Sequence, residues 1–68
     1  MPITIRVNGE NRSLDDHTSI LDILALFELS PRRVIVERNR QIVDKDSIDR
    51  VTLEDGDTIE IIRLVSGG

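Results

Sequence analysis

A single helix pattern lies between two groups of strand patterns, and this order limits the folds open to the chain. Strands are predicted where apolar residues alternate with polar ones or form β-branched runs, and where the chain returns after a hairpin turn. The predicted strands are residues 3–7, 10–14, 34–38, 41–43 and 58–65. Asn8-Gly9 predicts the hairpin turn because both residues tolerate a positive φ. The order is ββαββ, two strands, a helix and then two or more strands, which predicts an α+β fold with one main helix packed across one face of a mixed sheet.

The helix is predicted to begin at Ser19. Ser19 and Asp22 have the spacing of a capping box, in which each residue satisfies a free backbone N–H of the other. Apolar residues then recur at steps of three and four, with Leu21 widening the apolar face. They are Ile20, Ile23, Leu24 and Phe27. The helix should have about ten residues and end at Ser30-Pro31, because the residue before proline avoids helical geometry.

Length and composition exclude several classes of function. The 68 residues allow one small domain, whereas a small-molecule site usually needs roughly 300 Å³ or more of walled volume, so an enzyme is not expected. Cysteine is absent and the single histidine fits no ligand spacing, so no metal site is expected. Phe27 is the only aromatic residue and the formal net charge is −4, which disfavours nucleic acid as a partner.

No sequence pattern points to a membrane. Residues 1–6 lack the charged and then apolar layout of a secretory signal. No apolar run approaches the length of about 20 residues that a membrane span needs. We therefore expect a cytoplasmic protein with no membrane partner.

Three polar segments are interpreted as structural. Residues 45–50 predict a loop or a single helical turn whose Ile48 fills the core. Residues 54–57, with the sequence Glu-Asp-Gly-Asp, predict the turn before the last strand. Arg32-Arg33 and Arg38-Arg40 form a local basic cluster, for which contact with an acidic partner surface is one interpretation, and we favour the other, two solvated strand ends.

The end of the sequence is the candidate reactive part. Ser66-Gly67-Gly68 has no side chain able to pack, so residues 1–65 are predicted to form the domain and residues 66–68 a flexible tail that can enter a narrow slot. The carboxylate of Gly68 is ionised at neutral pH and is a poor electrophile. It needs activation, for which transfer of AMP from ATP is the economical route. A partner would then catalyse the chemistry at Gly68.

The last predicted strand also offers a candidate docking surface. Alternation directs Ile59 and Ile61 toward the core, which leaves Ile62 and Leu64 on the face toward solvent. Exposed apolar residues there would form a partner-docking surface. Single exposed apolar residues are also common on protein surfaces, so both interpretations stay open.

Taken together, these features resemble the ThiS/MoaD branch of the ubiquitin-like β-grasp fold over the whole chain. The similarity is greatest to the ThiS family, in three stretches. They are residues 36–43 (VERNRQIV), 53–57 (LEDGD) and 61–68 (IIRLVSGG). In the first stretch the family has a strand, an Asn-centred turn, here Asn39, and then Ile-Val. Glu37-Arg38 departs from the family, which is often small or apolar there.

The resemblance implies a sulfur carrier of thiamine (thiazole) biosynthesis that is not itself an enzyme and binds no cofactor. A ThiF-like adenylating enzyme would use ATP to convert the Gly68 carboxylate to an acyl adenylate. A sulfur donor such as a cysteine desulfurase system would replace AMP with sulfur and leave a thiocarboxylate. A ThiG-like thiazole synthase would take that sulfur. Gly67 and Ser66 would give access to Gly68, while Ile62 and Leu64 would dock the partners.

Two alternatives remain at this point. MoaD-like carriers of molybdopterin synthesis share the ending but tend to have proline shortly before the last glycines, where this chain has Leu64-Val65-Ser66. A ubiquitin-like interaction module would work through its surface, although Ser66 replaces the basic residue that precedes the glycines of ubiquitin. Removal of Gly68 would abolish a carrier function and spare a protein that binds through its surface alone.

Overall fold

The computed structural model describes residues 1–64 and confirms the predicted order of elements. The strands are β1 (Ile3–Val7), β2 (Glu10–Leu14), β3 (Val34–Arg38), β4 (Gln41–Ile42) and β5 (Thr58–Arg63). The helix α1 spans Ile20–Leu26, and short 3₁₀ helices span Pro31–Arg33 and Lys45–Ser47. The fold is α+β, with one main helix, as predicted.

Strand β5 lies at the centre of a five-stranded mixed sheet. The strand order is β2-β1-β5-β3-β4. β1 and β5 run parallel, whereas the other neighbouring pairs are antiparallel. The last strand described is therefore held on both sides, and the chain reaches Leu64 from the middle of the sheet.

Strand β1 is too short to pair with all of β5, and the Asn8 side chain continues the pairing. Backbone register between these strands ends with Val7 opposite Ile59. The N–H of Ile61 then donates to Oδ1 of Asn8 (2.8 Å), and Nδ2 of Asn8 donates to the carbonyl oxygen of Ile61 (3.4 Å). Asn8 and Gly9 have φ values of 50° and 84°, as the predicted hairpin turn requires. A turn residue thus takes the place of the next strand residue.

The core lies between α1 and one face of the sheet. Its buried apolar residues come from α1, β1, β3, β5 and the segment between β4 and β5. They are Ile3, Ile5, Val7, Ile20, Ile23, Leu24, Val34, Val36, Ile48, Leu53, Ile59 and Ile61. Ile48 is 2% exposed, which confirms its predicted place in the core. Leu21 is 37% exposed, so the prediction that it widens the buried face is wrong: the helix packs through Ile20, Ile23 and Leu24.

The end of α1 differs from the prediction. The sequence predicts about ten residues ending before Pro31, but α1 has 7 residues. Glu28 has a φ of 59°. The N–H of Leu29 donates to the carbonyl oxygen of Leu24 (2.8 Å), and the N–H of Glu28 donates to the carbonyl oxygen of Ala25 (3.1 Å). These two bonds form a Schellman motif, which satisfies the last helical carbonyls. Because glycine usually occupies the position of Glu28, no sequence signal marks this stop.

Two strands are also shorter than predicted. β5 ends at Arg63, so the predicted Leu64 is not part of it, and residue 65 lies outside the described residues. β4 comprises only residues 41–42. Val43 still donates its N–H to the carbonyl of Val36 (2.9 Å), so the chain stays beside β3 after β4 ends. No helix within residues 1–64 is long and apolar enough to cross a membrane.

Candidate functional site

The predicted site residues fall into two groups. The attachment residue and the tail before it lie outside the described residues; they are Ser66, Gly67 and Gly68. Ile62 and Leu64 lie at the end of β5. The N–H of Leu64 donates to the carbonyl oxygen of Arg33 (2.8 Å). The backbone is therefore held in the sheet up to the last residue that the structure describes.

The face of the sheet that points away from α1, here called the open face, carries several apolar side chains. Ile62 is 45% and Leu64 is 47% exposed, as their predicted direction requires. Ile35 lies directly opposite Ile62 and is half-buried. Ile42 is 70% exposed and lies on the same face, because it pairs with Glu37. We call Ile35, Ile42, Ile62 and Leu64 the apolar strip.

Two members of the apolar strip, Ile35 and Ile42, are not singled out by the sequence patterns. Residues 34–36 are all β-branched, and such a run does not show which face is buried. In the structure Val34 and Val36 are each 1% exposed, so alternation turns Ile35 outward. The docking role of the strip stays a prediction, while its position beside the end of β5 is a feature of the fold.

A buried carboxylate fixes the turn from which β5 begins. Asp57 is 6% exposed. Its Oδ2 accepts hydrogen bonds from Nε of Arg38 (2.9 Å) and from the N–H of Glu54 (2.9 Å), and its Oδ1 accepts one from Nδ2 of Asn39 (3.1 Å). Burial raises the pKa of Asp57, but these hydrogen bonds and the Arg38 charge outweigh burial and lower the pKa overall. The carboxylate is therefore ionised at neutral pH and holds the turn.

This junction corrects two interpretations made from the sequence. Arg38 is not a solvated strand end: its side chain is 27% exposed and its terminal nitrogen lies 2.9 Å from Oδ2 of Asp57. Asp57 is more than a turn residue, because it joins β3 to β5. Asn39 supports the same junction, since its Oδ1 accepts a hydrogen bond from the N–H of Thr58 (2.9 Å). Only the pairing of distant segments brings these residues together, so local patterns could not show it.

A polar depression beside this junction does not supply a catalytic centre. It has a volume of about 380 Å³, is open to solvent, and is lined in part by Thr4, Arg6 and Asp55. Oδ1 of Asp55 accepts a hydrogen bond from the N–H of Thr4 (2.7 Å), so this carboxylate supports the backbone. Among residues 1–64, no group of three or more His, Cys, Asp or Glu side chains is placed to hold a metal ion. The features that remain are the exposed face and the end of β5.

The fold and this site define a class of protein. A mixed sheet with one helix across one face, and a central last strand that leads toward two terminal glycines, is the architecture of the ubiquitin-like β-grasp proteins. Such a protein can act through its open face and through its C-terminal end. The particular family follows from comparison with known proteins.

The family model described as the ThiS family matches residues 5–68. The sulfur carrier protein ThiS of Bacillus subtilis is 40% identical over 65 residues, which covers 94% of this chain and 98% of that protein. The crystal structure of the thiamine biosynthesis protein (ThiS) from Geobacter metallireducens is similar with a TM-score of 0.80 and 25% identity, covering 97% of this chain and 100% of that chain. The chain belongs to the ThiS family.

A second kind of relative is much longer than this chain. A thiazole synthase of Paramagnetospirillum magneticum is 37% identical over 62 residues. The match covers 91% of this chain but only 19% of that protein. In this relative, a segment similar to our chain is thus part of a protein named thiazole synthase.

Proposed function

We propose that this protein carries sulfur for thiamine biosynthesis as a thiocarboxylate on Gly68. The observation that carries the proposal is the family match, which extends to residue 68 and so includes the terminal glycines. The similarity to the sulfur carrier of Bacillus subtilis over nearly all of both chains supports it. The protein acts as a carrier and not as an enzyme, because the reactive group is its own carboxylate.

The carboxylate of Gly68 must be activated before it can accept sulfur. In a ThiF-like adenylating enzyme, a carboxylate oxygen attacks the α-phosphate of ATP, which releases pyrophosphate and forms the acyl adenylate. The terminal sulfur of a persulfide, formed for example by a cysteine desulfurase system, attacks the acyl carbon and AMP leaves. A second thiol of the donor system then attacks the cysteine sulfur of this acyl disulfide, which forms a new disulfide with that cysteine and releases the thiocarboxylate. ATP is a substrate of the partner, and the carrier needs no cofactor.

The described geometry supports delivery of the C-terminal residues to a partner. β5 is anchored at its start by Asp57 and stays hydrogen-bonded up to Leu64. Gly67 and Ser66 have no large side chain that would prevent entry into a narrow slot. A firmly held strand followed by small residues lets the partner position Gly68 once it has bound the domain.

We further propose that partners dock on the apolar strip, with Ile62 and Leu64 nearest the tail. Both side chains are close to half exposed although they are large and apolar. Protein–protein contacts commonly draw most of their affinity from a few residues that a partner buries. Their position next to the end of β5 would bring the partner's active site close to Gly68.

We take a thiazole synthase as the acceptor of the sulfur. In the thiazole synthases of Paramagnetospirillum magneticum and Magnetococcus marinus, a segment similar to this chain is part of the same polypeptide. A covalent link raises the effective concentration of two sites that must meet. This observation favours the thiamine pathway over molybdopterin synthesis. Separately, we propose that the protein works in the cytoplasm.

The test is intact mass spectrometry of the purified protein after incubation with ATP, the adenylating enzyme and the sulfur donor of its own organism. We expect the mass to rise by the difference between one sulfur and one oxygen atom. Deletion of Gly68 should abolish the change, and so should one alanine added after Gly68, because the activating enzyme requires the carboxylate at that position. An unchanged mass for the natural sequence would contradict the proposal.

A second variant separates loss of the reactive tail from weaker docking. Ile62→Ala keeps Gly68 and removes only an exposed side chain, so we expect slower sulfur loading that recovers at high concentrations of the adenylating enzyme. Deletion of Gly68 should not recover at any concentration. Equal loading rates for Ile62→Ala and the natural sequence would argue against docking on the apolar strip, but not against the carrier function.

A further inference from the structure

Two glutamates face each other in the middle of the open face. Glu37 in β3 and Glu60 in β5 are direct cross-strand partners, so both side chains emerge on the same side of the sheet. The buried Val36 and Ile61, their neighbours in sequence, show that this side is the open face. Like charges directly opposite each other in a sheet lower its stability. The pair is therefore a local conflict within the fold.

Neither glutamate forms an ion pair or a side-chain hydrogen bond within residues 1–64. The ion pairs found within residues 1–64 involve Asp16 and Asp57, and include neither glutamate. The side chains of Glu37 and Glu60 also accept none of the hydrogen bonds found there. Glu37 is half-buried and Glu60 is exposed. A cation from outside the domain would relieve the repulsion between the two carboxylates.

The glutamates adjoin the apolar strip. The next outward-facing pair along the same two strands is Ile35 with Ile62, and the following outward residue of β5 is Leu64. Successive outward pairs are about 7 Å apart, since each strand residue advances about 3.4 Å. Ile42, in β4, lies directly opposite Glu37. Toward the end of β5, the acidic pair is thus followed by the apolar residues of the strip.

We propose that Glu37 and Glu60 together form the recognition site for a Lys or Arg side chain of thiazole synthase, placed so that neighbouring apolar residues of that enzyme cover Ile35 and Ile62. The inference rests on the sulfur-carrier function proposed above and names the chemistry of the partner's surface. One cation between two carboxylates sets the orientation of docking, whereas the apolar strip alone does not. That orientation directs the end of β5 toward the acceptor site.

The net charge of the carrier and its linkage to thiazole synthase in relatives both favour that enzyme as the partner at this site. The carrier has a formal net charge of −4, so a basic partner surface would be attracted before contact. Two proteins named thiazole synthase include a segment that is similar to this chain. The adenylating enzyme is the competing occupant, and the experiment separates the two.

The test measures binding of the full-length carrier to the thiazole synthase of its own organism by titration calorimetry, at low and at high salt. The variant is Glu37→Gln with Glu60→Gln, which keeps the shape of both side chains. The matched control is Glu10→Gln with Glu54→Gln, since both of these are exposed glutamates outside the open face. The control makes the same change in net charge. Thermal unfolding of all three proteins is recorded as well.

We expect the Glu37/Glu60 variant to bind about tenfold more weakly at low salt and to lose most of the salt dependence, because a charge pair at an interface contributes in this way. The control should stay within about twofold of the natural sequence. The unfolding temperature of the Glu37/Glu60 variant should be unchanged or higher, because a repulsive pair has been removed. Weaker binding then reports a lost contact and not a lost fold.

Equal affinity of the Glu37/Glu60 variant and the natural sequence for thiazole synthase would overturn the inference. Weakening seen only with the adenylating enzyme would also overturn it, since that enzyme would then be the occupant. Neither result would affect the proposed function, which the gain of sulfur on Gly68 tests separately. If the natural sequence gains no sulfur and binds neither enzyme, the proposed function itself is wrong.

Discussion

Ile61 and Ile62 are neighbours in β5, yet their surroundings differ completely. Ile61 is 8% exposed and belongs to the core under α1, whereas Ile62 is 45% exposed on the open face. An isoleucine therefore stabilises the fold on one face of β5, and another isoleucine is available to a partner on the other face. Mutations on the two faces should accordingly have separable effects, on stability for the first and on binding for the second.

The largest effect on stability is expected from truncation on the core face. Ile59 is fully buried, so Ile59→Ala should lower the free energy of unfolding by about 2–5 kcal/mol through lost burial and a residual cavity. Ile62→Ala should lower it by less than about 1 kcal/mol, because the side chain is partly exposed and loses mainly its cross-strand contact with Ile35. Urea unfolding of both variants gives the comparison. Similar losses would mean that the two faces do not differ in the way described.

A smaller loss of stability is expected when the buried carboxylate of Asp57 is removed. Asp57→Ala should lower the free energy of unfolding by about 2–3 kcal/mol, because the N–H of Glu54 and the Arg38 guanidinium lose their buried acceptor. Asp55→Ala, two residues away, removes a single exposed hydrogen bond to Thr4 and should cost less. Equal effects of the two substitutions in urea unfolding would contradict the role assigned to Asp57.

The same carboxylate predicts a pH dependence. The pKa of Asp57 is lowered in the folded protein, so its contribution to stability is present above its unfolded pKa of about 3.9 and is lost as pH falls through the lower folded value. Unfolding of the natural sequence, followed from about pH 7 to about pH 2, should show this loss. Asp57→Asn should be less stable at neutral pH and lose less stability on acidification. Parallel pH profiles would show that Asp57 does not titrate as described.

The smallest expected effect is a gain in stability. Glu28 ends α1 with a φ of 59°, a conformation that glycine adopts without strain. Glu28→Gly should therefore raise the free energy of unfolding by roughly 0.5–1 kcal/mol. Calorimetric unfolding checks the gain, and a loss of stability would mean that the Glu28 side chain makes a contribution of its own.

The order of elements could be predicted because its signals are local. Alternation in β1 and β5 needs only a few consecutive residues, and it also gives the outward direction of Ile62. The capping box is equally local and is confirmed: the N–H of Asp22 donates to Oγ of Ser19 (3.1 Å), and the N–H of Ser19 donates to Oδ2 of Asp22 (3.0 Å). Such signals do not depend on how distant segments pair.

The features of the site that the sequence did not predict depend on register between distant segments. Arg38 reaches Asp57 because it lies opposite Ile59 in the β3–β5 pair. A shift of one residue would turn Arg38 to the other face and break the junction. Ile42 belongs to the open face only because β4 pairs with β3 in the observed register. The sulfur chemistry proposed for Gly68 rests on the family resemblance, since no local physical pattern specifies it.

The side chain of Asn8 also affects how copies of this protein behave toward one another. Unpaired strand edges are the places where sheets of separate molecules join and aggregate. By binding both backbone groups of Ile61, Asn8 closes the edge of β5 just where β1 stops covering it. The outer strands of the sheet are a polar β2 and a two-residue β4, which are poor templates for such joining. Pairing between the sheet edges of separate copies is therefore disfavoured, although the apolar strip stays exposed.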